Sequence, residues 1–413
     1  MIAAAAHAAA GPDVAGPDVA GRDVAGPEAA IPEAGSCPYM VLRKPDTVRE
    51  VLHRPDDFSP ANALLAVTPL SGQSLRVLQK ARFALPPVLA SNDTSTHAGI
   101  RKVVAGFFTP AKVAAMEPRI RELARDSAAR ARALLDSHGT VDLVQAVAAH
   151  PPAIVMMELL GLPVRDLPQL KAWSLDSLEL FWGWPDPDRQ LELAHSAAAF
   201  YHWLRDLVVE SVESPQGQSP QSPEQSCPNL FKALADHGLQ TPEICSLGYF
   251  LLIAGQETTT QLISTTLFRL AEGSRGISWG EGSSALKARD LVRHVLATES
   301  SVPTWRRIAA RDTELNGRPI KAGEEILLEL TGNHGFPWAD ASGNERVGPT
   351  PYGLAFGSGI HRCLGAKLAE LEAAVVVQET AAALNGIRLQ DSAADWLRLL
   401  SFQAPRTVTV ERS

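Results

Sequence analysis

Several features that mark particular classes of protein are scarce or missing in this chain of 413 residues. Its four cysteines form no C-x-x-C pair, so the usual spacing of a structural zinc site is absent. No run of about 20 strongly apolar residues occurs, which argues against a transmembrane anchor. Basic residues do not exceed acidic ones, and the net charge of -8 argues against a nucleic-acid-binding surface.

The first residues, Met1 to His7, also lack the basic region and the strongly apolar stretch of a secretory signal. Hydrophobic residues make up 45% and charged residues 20% of the chain, as in ordinary globular proteins. We therefore expect a cytoplasmic protein in a reducing compartment, with no contact to membrane or nucleic acid.

A five-residue repeat, Gly-Pro-Asp-Val-Ala with small variations, occupies residues 11–30. It is too rich in glycine and proline to bury a core, so residues 1–36 are predicted to be a disordered tail. Residues 37–413 are predicted to form a single folded domain. Within it, the Ser-, Pro- and Gln-rich stretch Ser214–Asn229 is predicted to be a surface loop.

Long helical patterns dominate the rest of the chain. Apolar residues at three- and four-residue spacing predict helices over approximately 111–136, 192–213, 242–272 and 365–384. Strand signals are short, and they occur at 307–309, 315–320 (with an Asn-Gly turn) and 325–328. The predicted fold is mainly α, rich in helices and with small β-sheets.

The segment from Phe356 to Gly365 reads F-G-S-G-I-H-R-C-L-G and directly precedes a predicted helix. A thiolate at Cys363 would be stabilised by the unpaired N–H groups and the dipole of that helix, which lowers a thiol pKa and favours metal binding. The glycines allow the backbone to approach a flat cofactor closely. The alternative is a buried free cysteine, the usual role of this residue. That role is expected for the remaining three, Cys37, Cys227 and Cys245.

This segment resembles the haem-binding loop of the cytochromes P-450, F-x-x-G-x-H-x-C-x-G, and every specified position matches. A chance match anywhere in the chain has a probability on the order of 10⁻⁵. The resemblance implies haem b (iron protoporphyrin IX), with Cys363 as the metal ligand that pushes electron density onto the iron. It implies that Phe356, Gly357 and Gly365 surround the cofactor and that His361 points to a haem propionate.

Two further segments resemble propionate-binding parts of the same family. His97 and Arg101 stand one helical turn apart and are followed by a stretch, 103–110, that also resembles the family's sequence. Arg307 matches the position of a propionate-binding arginine on a strand. Its neighbour Arg306 is a rival for that role, and a solvated arginine on an edge strand is the plain alternative.

A long helix is predicted to begin at Thr241 as N-cap, with proline in its first turn, and to end at Gly273. At about 1.5 Å per residue, its length of about 46 Å would cross a whole domain. A charged Glu257 and three threonines interrupt its apolar middle, although buried charge is costly and threonine competes with helix hydrogen bonds.

This middle, A-G-Q-E-T-T, resembles the family's A-G-x-[DE]-T-T. The resemblance implies that Glu257 and Thr258 relay protons to dioxygen, and that Ala254 and Gly255 lie beside them, with the glycine opening room above the haem. The alternative is a core helix whose threonine hydroxyls bond preceding carbonyls.

One hallmark of the family is missing. The motif E-x-x-R, a buried ion pair, aligns with His294 and Ala297, so both partners are replaced together. The later segment that this pair normally contacts begins as usual at 333–338 but departs from the family around 343–346. Arg346 is then left with Glu345, Glu299 or solvent as partners.

The resemblance implies a monomeric monooxygenase that uses dioxygen to hydroxylate or oxidatively couple a small organic substrate, expected to be a secondary metabolite. Electrons would come from a ferredoxin or flavodoxin-like partner at the cysteine face, near Arg362 and Lys367. A non-catalytic recruitment module is expected to lose the cysteine, and a peroxide-using or rearranging enzyme often lacks the acid-alcohol pair. Phe181, Trp182 and Trp184 either line a substrate entrance or pack helices together.

Overall fold

The computed structural model describes residues 38–213, 229–331, 337–339, 345–347, 353–391 and 394–413. The predicted tail, nearly all of the predicted loop at 214–229, and both Cys37 and Cys227 lie outside these residues. No helix in the described ranges is long and apolar enough to pass through a bilayer.

Helices form most of the described structure, as the sequence predicts. The α-helices are α1 Pro45–Leu52, α2 Gly72–Lys80, α3 His97–Ala105, α4 Pro110–Ala115, α5 Glu117–His138, α6 Pro151–Leu159, α7 Leu167–Trp182, α8 Pro187–Glu213, α9 Leu230–Asp236, α10 Thr241–Ala271, α11 Ala285–Glu299 and α12 Ala366–Ala383. The predicted helix at 111–136 is two helices, α4 and α5, that meet at Met116.

The strands are short. They are β1 Met40–Leu42, β2 Phe58–Ser59, β3 Thr140–Asp142, β4 Thr304–Ala309, β5 Thr313–Leu315, β6 Arg318–Ile320, β7 Glu325–Glu329, β8 Pro337–Ala339, β9 Glu345–Val347, β10 Ile387–Leu389, β11 Trp396–Arg398, β12 Gln403–Pro405 and β13 Thr409–Arg412. The largest sheet has the order β1-β7-β4-β2, with β1 parallel and β4 antiparallel to β7. A second sheet has the order β10-β13-β3, and the remaining strands pair as hairpins.

The Asn-Gly signal marks a tight hairpin, as predicted. Asn316 and Gly317 join β5 to β6, and both have positive φ angles of 52° and 77°. Asparagine and glycine tolerate this left-handed conformation, which a two-residue turn between twisted strands requires.

The long helix α10 connects two hydrophobic cores. Its first half, through Ile253, packs with α6, α7, α8 and α9 in one core. Its second half, from Leu262, packs with α5, α11 and α12 in the other. Residues 254–261 belong to neither core. The polar middle of the helix therefore lies where the two cores separate.

The ends of α10 differ slightly from the sequence prediction. Gln240, not Thr241, is the N-cap residue, and its backbone N–H donates to Glu243 Oε2 at 2.8 Å. Glu243 thus caps the free N–H of Gln240, and Thr241 is the first helical residue. At the other end, Gly273 has a φ of 71° and follows the last turn, as expected for a helix-ending glycine.

Helix α11 carries His294 and Ala297 and is held by ion pairs to the helices on either side. Arg293 Nε donates to Glu370 on α12 at 2.7 Å, and Arg269 on α10 donates to Glu299 at 2.8 Å. His294 Nδ1 lies 3.2 Å from a guanidinium nitrogen of Arg275. Glu299, one candidate partner of Arg346, is thus bound to Arg269. The side chain of Arg346 lies outside the described part of the chain.

Helix α12 also buries a carboxyl group. Glu372 is 1% exposed, and its Oε1 has no hydrogen-bond partner among the described residues. Burial raises the pKa of Glu372 to about 8. The group is therefore protonated in the folded protein at neutral pH, whereas an exposed glutamic acid, with a pKa of about 4.3, is ionised.

This difference predicts a loss of stability as pH rises. Between about pH 4.3 and about pH 8 only the folded state keeps the proton of Glu372, so the free energy of unfolding falls across this window, by an amount on the order of 4 kcal/mol. Glu372→Gln should flatten that fall in urea unfolding measured from pH 5 to pH 8. Glu192→Gln, at an exposed carboxyl, should keep the wild-type slope. A parallel slope in Glu372→Gln would contradict the assignment.

Candidate active site

A large cavity lies beside the middle of α10. It contains about 1460 Å³ of atom-free space, part of it open to solvent. Its wall comes from α3, α6, α10, α12, β4 and the segment that precedes α12. The wall includes most of the residues that the sequence proposes: Arg101, Ala254, Gly255, Thr258, Arg307, Phe356, Gly357, His361, Cys363 and Gly365.

The loop before α12 turns tightly and presents the sulfur of Cys363 to this cavity. The backbone N–H of Cys363 donates to the carbonyl of Phe356 at 2.9 Å, which closes the loop. Gly357 has a φ of 65°, and a Cβ at that position would project into open space. Gly359 has a φ of 70°, and a Cβ there would collide with the carbonyl of Leu52. Gly357 therefore leaves room for a flat group against the backbone, whereas Gly359 lets the end of α1 approach the loop.

The pKa of Cys363 differs from the sequence expectation. Burial raises it above the ordinary thiol value, although the backbone N–H groups of Gly365 and Ala366 and the guanidinium of Arg101 act in the opposite direction. The N–H groups at the helix N-terminus thus act in the expected direction, and burial acts against them. A metal cation removes the proton of a coordinating thiol, so ligation does not require a low intrinsic pKa.

Cationic side chains lie on one side of the cavity. Arg307 is buried on β4, the third strand of a four-stranded sheet, and burial lowers its pKa to about 10, so it remains charged at neutral pH. The reading of Arg307 as a solvated residue is therefore wrong. Arg101 donates to the carbonyl of Arg362 at 2.5 Å. Arg306 points away and donates to the carbonyls of Ala63 and Leu65 at 3.1 and 2.6 Å.

The two histidines lie close together, but only one lines the cavity. His361 is on the wall, where its Nε2 is 2.8 Å from the carbonyl oxygen of Asn92. His97 packs behind it with ring centroids 4.7 Å apart, and its Nε2 is buried without a hydrogen-bond partner among the described residues. Burial lowers the pKa of both histidines, that of His361 to about 4.

These residues fit a haem. Cys363 lines the cavity, and Gly357 leaves open space against the loop, where a flat group could lie close to the backbone. Arg101 and Arg307 supply positive charge for two buried carboxylates, which need charged or hydrogen-bonding partners. The unpaired nitrogen of His97 is a polar atom that a nearby acceptor or donor would satisfy.

On α10, Thr258 has features of both roles that the sequence left open, a relay residue at the cavity and a threonine bonded to a preceding carbonyl. Its side chain lines the cavity, and its hydroxyl donates to the carbonyl of Ala254 at 2.6 Å. The carbonyl of Thr258 itself accepts a hydrogen bond from Ser301 at 2.8 Å. The space that the sequence predicts beside Gly255 is occupied by Met156 on α6. A Cβ at position 255 would overlap the side-chain methyl of Met156.

Glu257 does not share the cavity wall with Thr258. It is 1% exposed and accepts a hydrogen bond from Lys171 Nζ on α7 at 2.6 Å. Lys171 also reaches Thr260 Oγ1 at 3.2 Å. Neither Lys171 nor Met156 was predicted as part of the site, and the only signal for Lys171 was a lysine on the apolar pattern of α7.

Known proteins resemble this chain over most of its length. No protein-family model matches it. A cytochrome P450 of Bacillus subtilis, YjiB, is 31% identical over 308 residues, which cover 69% of this chain and 70% of the relative. The cytochrome P450 monooxygenase PikC of Streptomyces venezuelae is 29% identical over 73% of this chain and 70% of its own.

Solved structures agree with these relatives. The cytochrome P450 CREJ in complex with (4-ethylphenyl) dihydrogen phosphate superimposes with a TM-score of 0.78 at 26% identity, covering 93% of this chain and 94% of the other. The predicted helix-rich fold with small sheets is thereby confirmed. From its relatives, its fold and a cavity lined by Cys363, the chain belongs to the cytochrome P450 family and is a haem-dependent oxidoreductase of the monooxygenase type.

Proposed function

We propose that this protein uses haem b and dioxygen to hydroxylate or oxidatively couple a small organic secondary metabolite. The observation that carries the proposal is that the thiol of Cys363 and the hydroxyl of Thr258 line one cavity. Relatives with related chemistry include a protein named erythromycin C-12 hydroxylase from Saccharopolyspora erythraea, 29% identical over 75% of this chain and 76% of its own.

The protein's part in this chemistry begins with holding the cofactor. Bound haem supplies an iron centre that activates dioxygen, with a thiolate ligand that favours O–O cleavage. Cys363 would bind the iron, and Phe356, Gly357 and Gly365 would form the surface around the sulfur. Arg101, Arg307 and His361 would hold the propionates, and His97 supports His361 from behind.

Proton supply is assigned to α10. Thr258 lies at the cavity, where its hydroxyl would be free to donate a hydrogen bond into the cavity once it leaves the carbonyl of Ala254. Glu257, the other residue assigned to the relay, does not line the cavity and accepts a hydrogen bond from Lys171. It reaches the relay only after this ion pair opens, so Lys171 is proposed to be a positioning residue.

Electrons are proposed to enter at the cysteine face. Arg362 and Lys367 are exposed on either side of Cys363, and they offer positive charge to an acidic ferredoxin or flavodoxin-like donor. We also propose that residues 37–413 are a single haem domain that acts as a monomer and that residues 1–36 are a tail outside it. The retained Cys363 argues against a non-catalytic recruitment module, and the retained Glu257 and Thr258 argue against an enzyme independent of reductant.

The central prediction is spectroscopic. Reduced protein with carbon monoxide should show the red-shifted Soret band of a thiolate-ligated haem, and Cys363→Ser should abolish it. The matched control is Cys245→Ser, because Cys245 is fully buried away from the cavity and should leave the band unchanged. An unshifted band in the wild-type protein would overturn the proposed haem ligation.

Thr258→Ala should keep haem and substrate binding but divert most of the consumed NADPH into hydrogen peroxide, because the hydroxyl no longer directs a proton to oxygen. The measurement is the ratio of product to NADPH consumed. Thr266→Ala is the control, since Thr266 makes the same kind of bond to a preceding carbonyl on α10 at 2.7 Å but does not line the cavity. Equal coupling in wild type and Thr258→Ala would remove Thr258 from the relay.

The buried pair Lys171–Glu257 predicts a strong coupling in stability. Lys171→Met should leave Glu257 buried without its cation and lower the free energy of unfolding by about 3–5 kcal/mol. The double variant Lys171→Met/Glu257→Gln should lose clearly less than the two single losses added together, because the charges are removed as a unit. Urea unfolding of the four proteins tests this. Additive losses would show that the pair is not coupled.

A further inference from the structure

Aromatic rings connect the cavity to the protein interior. Trp305 and Phe402 line the cavity wall, with ring centroids 6.3 Å apart. Trp182 stacks on Trp305 at 6.4 Å with 29° between the planes, and it meets Phe402 at 4.9 Å. Aromatic rings in contact have centroids about 4.5–7 Å apart. Trp182 therefore touches both rings that face the cavity, and it packs the end of α7 against β4 and the segment between β11 and β12.

The row of rings continues between α7, α8 and α10. Phe181 lies 5.9 Å from Trp182, and Tyr249 lies 6.4 Å from Phe181. Phe200 follows at 4.5 Å from Tyr249, the shortest of these spacings. Each step is again a ring contact, so the row crosses the core without a gap.

Two tryptophans complete the row at the surface. Trp173 stacks on Phe200 at 5.6 Å with 14° between the planes, and Trp203 lies 5.7 Å from Trp173. Trp203 is half-buried, and its indole N–H donates to the carboxylate of Asp166 at 2.9 Å. An uninterrupted series of contacting rings thus leads from the cavity to an exposed carboxylate.

The polar atoms along the row differ between its interior and its end. The indole nitrogen of Trp182 is buried with no hydrogen-bond partner in the described residues. The hydroxyl of Tyr249 faces only the neutral Ser177 at 2.7 Å, and burial raises the pKa of this tyrosine. Neither ring can release a proton when it loses an electron, whereas Trp203 has Asp166 as an acceptor. An oxidised interior ring therefore takes an electron from the next ring, and the oxidised state is stabilised at Trp203.

We propose that this row of rings is an electron path that carries oxidising equivalents from the cavity to Trp203. Indole and phenol rings are the aromatic side chains that are most readily oxidised, and the phenylalanines bridge them. This inference rests on the proposed function, because oxygen reduction in the cavity supplies the oxidant whenever it runs without substrate.

The step balances with hydrogen peroxide as the oxidant. Reduction of one peroxide to two waters takes two electrons and two protons. Each oxidation of Trp203 sends one electron along the path and one proton to Asp166, which leaves a neutral indole radical. An external one-electron donor such as ascorbate, together with a proton, restores the indole. Two such cycles remove one peroxide.

Met156 on the cavity wall is the side chain that this path would protect from oxidation by peroxide. A thioether is converted to a sulfoxide by peroxide, and Met156 lines the cavity beside Gly255. Its neighbour Met157 is fully buried and does not line the cavity, so it serves as an internal reference. When the path is broken, oxidation should move from Trp203 to Met156.

The test mixes haem-loaded protein with hydrogen peroxide, freezes it rapidly for electron paramagnetic resonance, and maps oxidised residues by mass spectrometry. Wild type should give a tryptophan radical, and both Trp203→Phe and Trp182→Phe should reduce this signal at least tenfold. In these variants the sulfoxide at Met156 should rise severalfold, with none at Met157. Trp396→Phe is the matched control, because Trp396 contacts Phe268 and Arg269 outside the row and should behave like wild type.

Asp166→Asn keeps every ring in place and removes only the proton acceptor, so it tests the path even where a tryptophan variant folds poorly. It should lower the Trp203 radical at least severalfold and raise sulfoxide at Met156. An unchanged radical in Asp166→Asn and Trp203→Phe, or an unchanged sulfoxide level at Met156, would show that the rings only pack the core. The carbon monoxide spectrum of the same samples reports the thiolate haem separately, so the failure of one proposal is distinguishable from failure of the other.

Discussion

The architecture depends on how α10 is packed. Its two ends are fixed in two different hydrophobic cores, and the stretch between them is left to face a cavity. Apolar burial is non-directional and cannot by itself hold a polar segment in place. In α10 the polar segment is held in place because the two ends of the helix are packed in separate cores, which restrict the backbone between them. Thr258 is thereby placed on the same cavity as the loop of Cys363.

Local sequence was enough to predict what is local in the structure. The loop from Phe356 to Gly365 and the start of α12 are contiguous, so their residue pattern already contains the geometry of the thiol. The Asn-Gly turn was predictable for the same reason. Arg307 was assigned from the pattern of a single strand, and the alternation along β4 separates it from Arg306.

The parts that sequence did not predict are contacts between distant elements. Glu257 turns to Lys171, which lies 86 positions earlier in the chain on a helix without a motif. Met156 fills the space beside Gly255 because α6 crosses α10 at that point. The raised pKa of Cys363 has the same origin, since burial is a property of the assembled cavity and not of the loop. Pattern reasoning identifies the residues, and the three-dimensional packing decides which way they face.

Strand β4 has a further consequence, which concerns its register. Trp305 and Arg307 face the cavity, while Arg306, between them, binds the carbonyls of Ala63 and Leu65 on the other side. A slip of one residue would exchange the two faces of the strand. Arg306 and Ile308 would then face the cavity. Arg307, the proposed partner of a haem carboxylate, and Trp305, the first ring of the aromatic row, would be lost from it together. Pairing with β7 along one edge and with β2 along the other keeps both sides of this strand in place.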